Sequence, residues 1–334
     1  MSVAEHLFAP FIRTLGKGKQ GSRALSVDEA YAAMKMILND EIEPMQLGAF
    51  LMLMRVKEET PEELAGFVKA ARETFAYPAA MPKVDVDWSS YAGKRRHLPW
   101  FLLSALMLAD AGVKVFMHGI GGRKDDRVYT PETLAALGIP PSANLSEAAQ
   151  QLEATNFAFL PLAGLNAKLD YIIGLRPLLG LRSPVHTLSR LLNPFHAPVV
   201  MQGIFHPGYQ PTHQGAGVLL GQPYMAVIKG DGGEIERDPD IACTVKGVKD
   251  GELFDEQWPA LFPEGQRHLK EELDISKLAK VWRGELRDEY GEAAAIGTAA
   301  LALRGLGRAD SPEAADALAR ELWEKRDTGR LKAA

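Results

Sequence analysis

The sequence predicts an α/β fold: a small N-terminal helical domain followed by a large α/β domain with a mainly parallel central sheet. Three observations carry this. Residues 4–74 hold only helical patterns, several opened by capping residues. Pro78 and Pro82 then mark a linker. From Val84 onward, short apolar runs alternate with helical patterns, the sign of parallel strands joined by crossover helices. A chain of 334 residues is long enough for two such units.

In the N-terminal part, 4–15 reads as a short amphipathic helix and 16–22 (GKGKQGS) as a basic loop. Ser26 with Glu29 forms a capping-box pattern ahead of a helix over 27–39. A helix over 43–54 follows. Thr60 then caps a helix that starts at Pro61, has Glu62 and Glu63 in its first turn and runs to about 74. In the larger part, strands are expected at 84–88, 114–117, 157–160, 199–204, 224–229 and 244–248. Helices are expected at 100–111, 131–137, 146–153, 166–179, 183–192, 210–221, 293–306 and 311–328. There is no internal repeat.

The single cysteine, Cys243, excludes an internal disulfide framework and a cysteine-built zinc site, and fits a reducing cytosol. No apolar run is long and clean enough to span a bilayer, and the N-terminus lacks a secretion-signal pattern; a cytoplasmic location is the expectation. The net charge of −5 argues weakly against a nucleic-acid binder, but the cations are clustered. Between His6 and Val27, and again between Trp88 and Ala109, cations occur without one carboxylate. From Phe157 to Gly230 the only acid is Asp170, against Lys168, Arg176, Arg182, Arg190 and Lys229. Such segments are either interior or the walls of a basic groove; the groove is preferred, because buried cations need partners these segments do not supply locally.

The most informative stretch is 84–112. A strand, the loop SSYAGKRRHL and a helix opened by Pro99 make the strand–loop–helix frame in which α/β proteins hold phosphate. The usual glycine cradle is replaced by three adjacent cations, Lys94, Arg95 and Arg96, followed by His97. These four groups repel one another unless an anion binds; a solvated loop is the bland alternative.

The segment LSVDEAYAAMKMILNDEIEPMQLGAFLMLMRVKEETPEELAGFVKAARE (25–73) resembles the helical domain of the anthranilate phosphoribosyltransferase family, glycosyltransferase family 3. The resemblance continues through VKVFMHG, ETLAALGI, LRPLLGLRS, LLNP and GELRDEYGEAAAIGTAALALRGLGRADSPEAADALARE, nearly the whole chain. It implies a helical domain at 1–78, joined in space by about 166–192, an α/β domain over the rest of 83–334, a substrate cleft between them, and a homodimer through the helices.

The site motifs depart from the family. Its GTGGD diphosphate loop is here SYAGKRRHLPW, keeping Gly93; of its Lys-His-Gly-Asn-Arg motif only His118 and Gly119 remain. Its Asp-Glu magnesium pair falls near Gly233-Glu234, and its glycine–proline before LLNP is Ser189-Arg190. Arg176 matches the arginine that binds anthranilate in the family. Gly93, His118, Gly119 and Arg176 would then be relics of a substrate site.

KRRHLPW together with GKGKQGS resembles the divergent YbiB-type branch, which implies binding of DNA or RNA without sequence preference. On this reading no cofactor or metal is expected, no residue is catalytic, and the phosphate contacts are Lys94, Arg95, Arg96, His97, Lys17, Lys19, Arg23, Arg176, Arg182 and Arg190. Structural ion pairing is the alternative for Arg176, and local pairing with Asp125 and Asp126 for Arg123 and Lys124. Phe195, Tyr209 and Trp100 could stack bases of single strands or belong to the core. The four histidines His186, His196, His206 and His213 have no metal-ligand spacing. Glu234 and Glu236 are most simply solvated. The rival reading is a magnesium-dependent phosphoribosyltransferase using phosphoribosyl diphosphate (PRPP) and anthranilate or a related acceptor, with Glu234 as its remaining metal ligand.

Overall fold

The computed structural model describes residues 4–122, 126–263 and 268–331. The N-terminal domain is four helices: α1 (Ala9–Gly16), α2 (Val27–Leu38), α3 (Pro44–Lys57) and α4 (Pro61–Glu73). The predicted capping box of Ser26 with Glu29 forms, and the expected Thr60 cap proves to be a second box with Glu63. Glu63 also ties the domain together: its buried carboxylate accepts the Leu25 N–H at 2.8 Å and pairs with Lys57 Nζ at 2.7 Å. Gly66 lets α2 and α4 approach closely, since a Cβ there would lie 2.4 Å from the Val27 carbonyl oxygen.

The rest of the chain runs β1 (Val86–Ser90), α5 (Phe101–Asp110), β2 (Val115–Gly119), α6 (Thr130–Ala136), α7 (Leu145–Thr155) and β3 (Phe157–Pro161). Four short helices follow: α8 (Leu162–Leu165), α9 (Ala167–Gly174), α10 (Arg176–Leu179) and α11 (Val185–Leu188). Then come β4 (Val199–Ile204), α12 (Gln210–Leu219), β5 (Tyr224–Lys229), the hairpin β6 (Cys243–Lys249) and β7 (Glu252–Trp258), and α13 (Ser276–Trp282), α14 (Glu289–Gly305) and α15 (Pro312–Lys325). The strands form one sheet in the order β3-β2-β1-β4-β5-β6-β7, parallel through β5 and antiparallel at β6 and β7.

Successive strand residues feed opposite cores. Val199 and Met201 pack with α5, α14 and α15; Val200 packs on the other side, in a core continuous with the N-terminal helices and with α7 to α11. Helix α5 is buried from Phe101 to Ala109, as its all-round apolar sequence requires.

Three expectations change. The helix expected over 166–179 breaks into α9 and α10, because Pro177 has no N–H to give the carbonyl four residues back. The one expected over 183–192 is α11 and a single 3₁₀ turn, Ser189–Leu191. Strand β7 and helix α13 had no counterpart in the sequence reading; β7 is a charge-rich edge strand whose side chains are mostly exposed.

Candidate active site

Strand β1 lies between β2 and β4, so the connections leave it in opposite directions and open a crevice beyond the strand ends. That crevice is lined by Tyr91 and Ala92 after β1, by Ile204 and Phe205 at the end of β4, by Arg55 and Glu59 from the helical domain, and by the segment 173–190. Two cavities of about 400 and 320 Å³ share Arg127, Arg176, Arg182 and His186 and make one continuous cleft.

The cleft is strongly cationic. The side chains of Arg176 and Arg182 make no hydrogen bond or ion pair among the described residues. Burial, and then the positive charges of Arg190, Arg176 and Arg127, push the Arg182 pKa down to about 10. The guanidinium of Arg127 donates to the carbonyls of Ala92 at 2.8 Å and Gly93 at 3.2 Å, and that of Arg55 to the Tyr209 hydroxyl at 3.0 Å. Burial and the charges of Arg182 and Arg190 lower His186 to about 3, so it is a neutral hydrogen-bonding group at pH 7. Glu59 is the one carboxylate on these walls among the described residues; it is buried, which raises its pKa, and one of its oxygens has no hydrogen-bond partner. Positive charges this close and this desolvated suit a compact ligand carrying two or more negative charges.

The loop after β1 is built differently from its sequence expectation. Gly93 has φ +68°, and a Cβ there would meet the Tyr129 ring at 2.9 Å. The N–H groups of Ala92 and Gly93 point at the Glu234 carboxylate, at 2.6 and 2.7 Å. Lys94 is 1% exposed, and its ammonium sits 2.6 Å from Glu236 and 3.7 Å from Asp231. Burial alone would lower the Lys94 pKa; Glu236 and Asp231 outweigh it and raise the value. The other Glu236 oxygen accepts the Phe101 N–H at 2.8 Å, so it caps the N-terminus of α5. Every anion-binding donor of this strand–loop–helix frame named here is thus satisfied from within.

Several expected contacts are therefore corrected. Lys94 is not a free cation but one end of a buried ion pair. His97 is buried, stacked on Tyr290 at 4.2 Å with Glu271 3.6 Å away. Arg190 is buried, and its guanidinium donates to the carbonyls of Gly203, His186 and Gly233. Arg23 is held by Glu29 through two bonds of 2.6 and 2.7 Å. Arg95 and Arg96 are exposed, as are Lys17 and Lys19, but they do not face the cleft. Arg123, Lys124 and Asp125 lie outside the described residues.

His118 is fully buried between the Tyr91 hydroxyl at 2.7 Å and Asp87 at 3.2 Å, and Gly119 packs against Ser90, where a Cβ would lie 1.8 Å from a carbonyl oxygen. Both support the floor of the site rather than touching it. Phe195 packs edge-on to Phe116 in the core, and Trp100 is buried with its N–H on Glu271; only Tyr209, of the aromatics singled out, lines the cleft.

Glu234 and Glu236 are buried, not solvated. The Glu236 N–H turns back to the Glu234 carbonyl at 3.1 Å, and the two carboxylates meet the loop after β1 at the Ala92 and Gly93 N–H groups and at the Lys94 ammonium. One Glu234 oxygen accepts two backbone N–H groups, both Glu236 oxygens are engaged, and Asp231 faces the Lys94 ammonium. The second oxygen of Glu234 and one oxygen of Asp231 are buried without a hydrogen-bond partner among the described residues. With the Lys94 ammonium in place, these carboxylates are not an open magnesium site. Of the residues that build the site, sequence reasoning missed Arg55, Glu59 and Arg127, and it named Glu236 but took it as solvated.

No helix among the described residues is long and apolar enough to cross a membrane. The helical bundle domain of the glycosyl transferase family matches residues 9–75. Anthranilate phosphoribosyltransferase of Anaeromyxobacter sp. is 31% identical over 296 residues, 84% of this chain and 85% of that one. The uncharacterized protein YbiB of Escherichia coli is 28% identical over 207 residues, 60% of this chain and 64% of that one. Anthranilate phosphoribosyltransferase from Saccharomyces cerevisiae, in complex with PRPP and Mg, has the same fold at 16% identity: the TM-score is 0.76, covering 98% of this chain and 96% of that one. These relationships, with Lys94 and His97 buried, overturn the expectation of a protein that grips DNA or RNA through that loop. The similarity to YbiB covers a shorter stretch than the similarity to the Anaeromyxobacter enzyme. By its sequence and its fold, the chain belongs to the anthranilate phosphoribosyltransferase family, glycosyltransferase family 3.

Proposed function

We propose that this protein transfers a phosphoribosyl group from phosphoribosyl diphosphate to a small anionic acceptor of the anthranilate class. The observation that carries this reading is the desolvated arginine cleft at the switch point of the sheet, with the Arg176 and Arg182 side chains unpaired among the described residues. In the reaction the acceptor nitrogen bonds to the anomeric carbon, the carbon–oxygen bond to the diphosphate breaks, and the diphosphate leaves with that electron pair. Arg182 and Arg127 would hold phosphate oxygens, where charge builds as the bond breaks. Arg176 would hold the acceptor carboxylate by a charge-assisted, two-pronged contact. Neutral His186 would supply a hydrogen bond without adding to the repulsion among the arginines. The buried Glu59, near Arg55, stands where it could accept a proton from the acceptor nitrogen.

The test is diphosphate release from phosphoribosyl diphosphate in the presence of anthranilate and of related amines. Release that depends on the acceptor and collapses in Arg176→Ala supports the reading. Absence of both turnover and binding of either substrate defeats it. A homodimer through the helical domain is part of the same proposal; exposed Leu7 and Met45, 79% and 83% accessible, support it, and light scattering on Met45→Glu checks it.

A further inference from the structure

Asp231 and Glu236 flank the Lys94 ammonium behind the Gly93 loop, while Glu234 accepts the loop's Ala92 and Gly93 N–H groups. Lys94 Nζ is 2.6 Å from Glu236 Oε1 and 3.7 Å from Asp231 Oδ2, and its side chain is 2% exposed. Its backbone is pinned as well: the Lys94 N–H and carbonyl exchange hydrogen bonds of 2.9 Å with Val128. A lysine this enclosed cannot swing out to meet a ligand, and a divalent ion cannot enter beside it without two cations sharing one carboxylate set.

We infer that Lys94 is a built-in cation that replaces the divalent metal at this position, so that anionic ligands bind in the arginine cleft without magnesium. The yeast neighbour of the same fold was captured with PRPP and Mg; here the chain supplies the charge itself. Two consequences of the geometry agree with this. The freed burden of neutralising a diphosphate falls on side chains, and those of Arg176 and Arg182, unpaired among the described residues, are present to take it. The loop N–H groups that could otherwise meet a phosphate are filled by Glu234, which keeps the ligand on the arginine side. The identity of the ligand as a diphosphate rests on the function proposed above; the metal independence rests on Lys94.

The experiment is calorimetric titration of the full chain with inorganic pyrophosphate, once with a chelator present and once with excess magnesium. Binding with chelator, tightened less than about threefold by magnesium, is the expected result. Tightening of more than about tenfold by magnesium overturns the inference and leaves the phosphoribosyltransferase reading standing. No binding in either medium overturns both.

Manganese alone provides a second arm, followed by electron paramagnetic resonance. The native protein should leave the ion free, and an ion bound by the native protein overturns the inference.

Discussion

The Glu234 carboxylate accepts the Gly93 N–H at 2.7 Å, across 141 residues of chain. A loop position that resembles a diphosphate cradle is thus occupied by the protein's own anion. Removing that anion should expose the cradle. Glu234→Ala is expected to destabilise the fold by about 2–4 kcal/mol, because two charge-assisted backbone bonds are lost and two buried donors go unmatched. Inorganic phosphate should then raise the melting temperature of the variant more than that of the native protein. Equal responses in a thermal-shift titration would show that the loop does not become an anion site.

The three adjacent cations at 94–96 should separate cleanly in stability. Lys94→Met leaves Glu236 charged and buried, at a cost of about 3–5 kcal/mol. Arg95→Ala and Arg96→Ala alter exposed side chains and should stay within about 0.5 kcal/mol. Adding Glu236→Met to Lys94→Met should recover part of the loss, since an apolar pair avoids the stranded charge. Urea unfolding of the four variants measures all of this, and similar losses at 94, 95 and 96 would contradict the buried pair.

Arg182 works against folding and for binding. Its neighbours are positive and its surroundings partly dry, which is why its pKa is pushed down to about 10. Arg182→Ala should therefore leave the melting temperature unchanged or raised, while weakening pyrophosphate binding by about 10- to 100-fold, the worth of one charge-assisted contact. Arg176→Ala should weaken an anthranilate-class carboxylate by a similar factor. A loss of stability without a loss of affinity in Arg182→Ala would make it a structural residue.

Acid should destabilise the protein through two buried histidines. Burial, and in second place neighbouring arginines, lower His186 and His213 to about 3; His213 is also bonded to Gln202 at 2.7 Å. Both are neutral when folded and would take a proton when unfolded below about pH 6.5. Their contribution is present in full above that pH. It declines as pH falls toward 3, by up to about 1.4 kcal/mol per pH unit for each group. Denaturant unfolding at pH 7, 6 and 5 should show the decline, and His213→Gln should make it shallower. A variant with an unchanged slope would mean that His213 is not held neutral.

The Ser26–Glu29 capping box, the Thr60 cap, the apolar helix after Gly93 and the strand–helix alternation were all legible in the chain, because each depends on residues within a few positions of one another. So was the location of the special loop at 89–98. What that loop does was not legible. Lys94 beside Arg95 and Arg96 reads as one patch of free positive charge, yet its partner Glu236 is 142 residues away and its two neighbours remain in solvent. The arginine cleft was only half visible: Arg176 and Arg182 stand in an acid-poor run, whereas Arg55 and Arg127 arrive from a helix and a loop far along the chain. Local sequence settles helices, strands and their order, since capping, periodicity and proline act over a turn or two. Which charges are spent inside and which are left for a ligand is settled only when the sheet brings distant segments together, because the energy of a charge depends on burial and on a partner that sequence proximity does not supply.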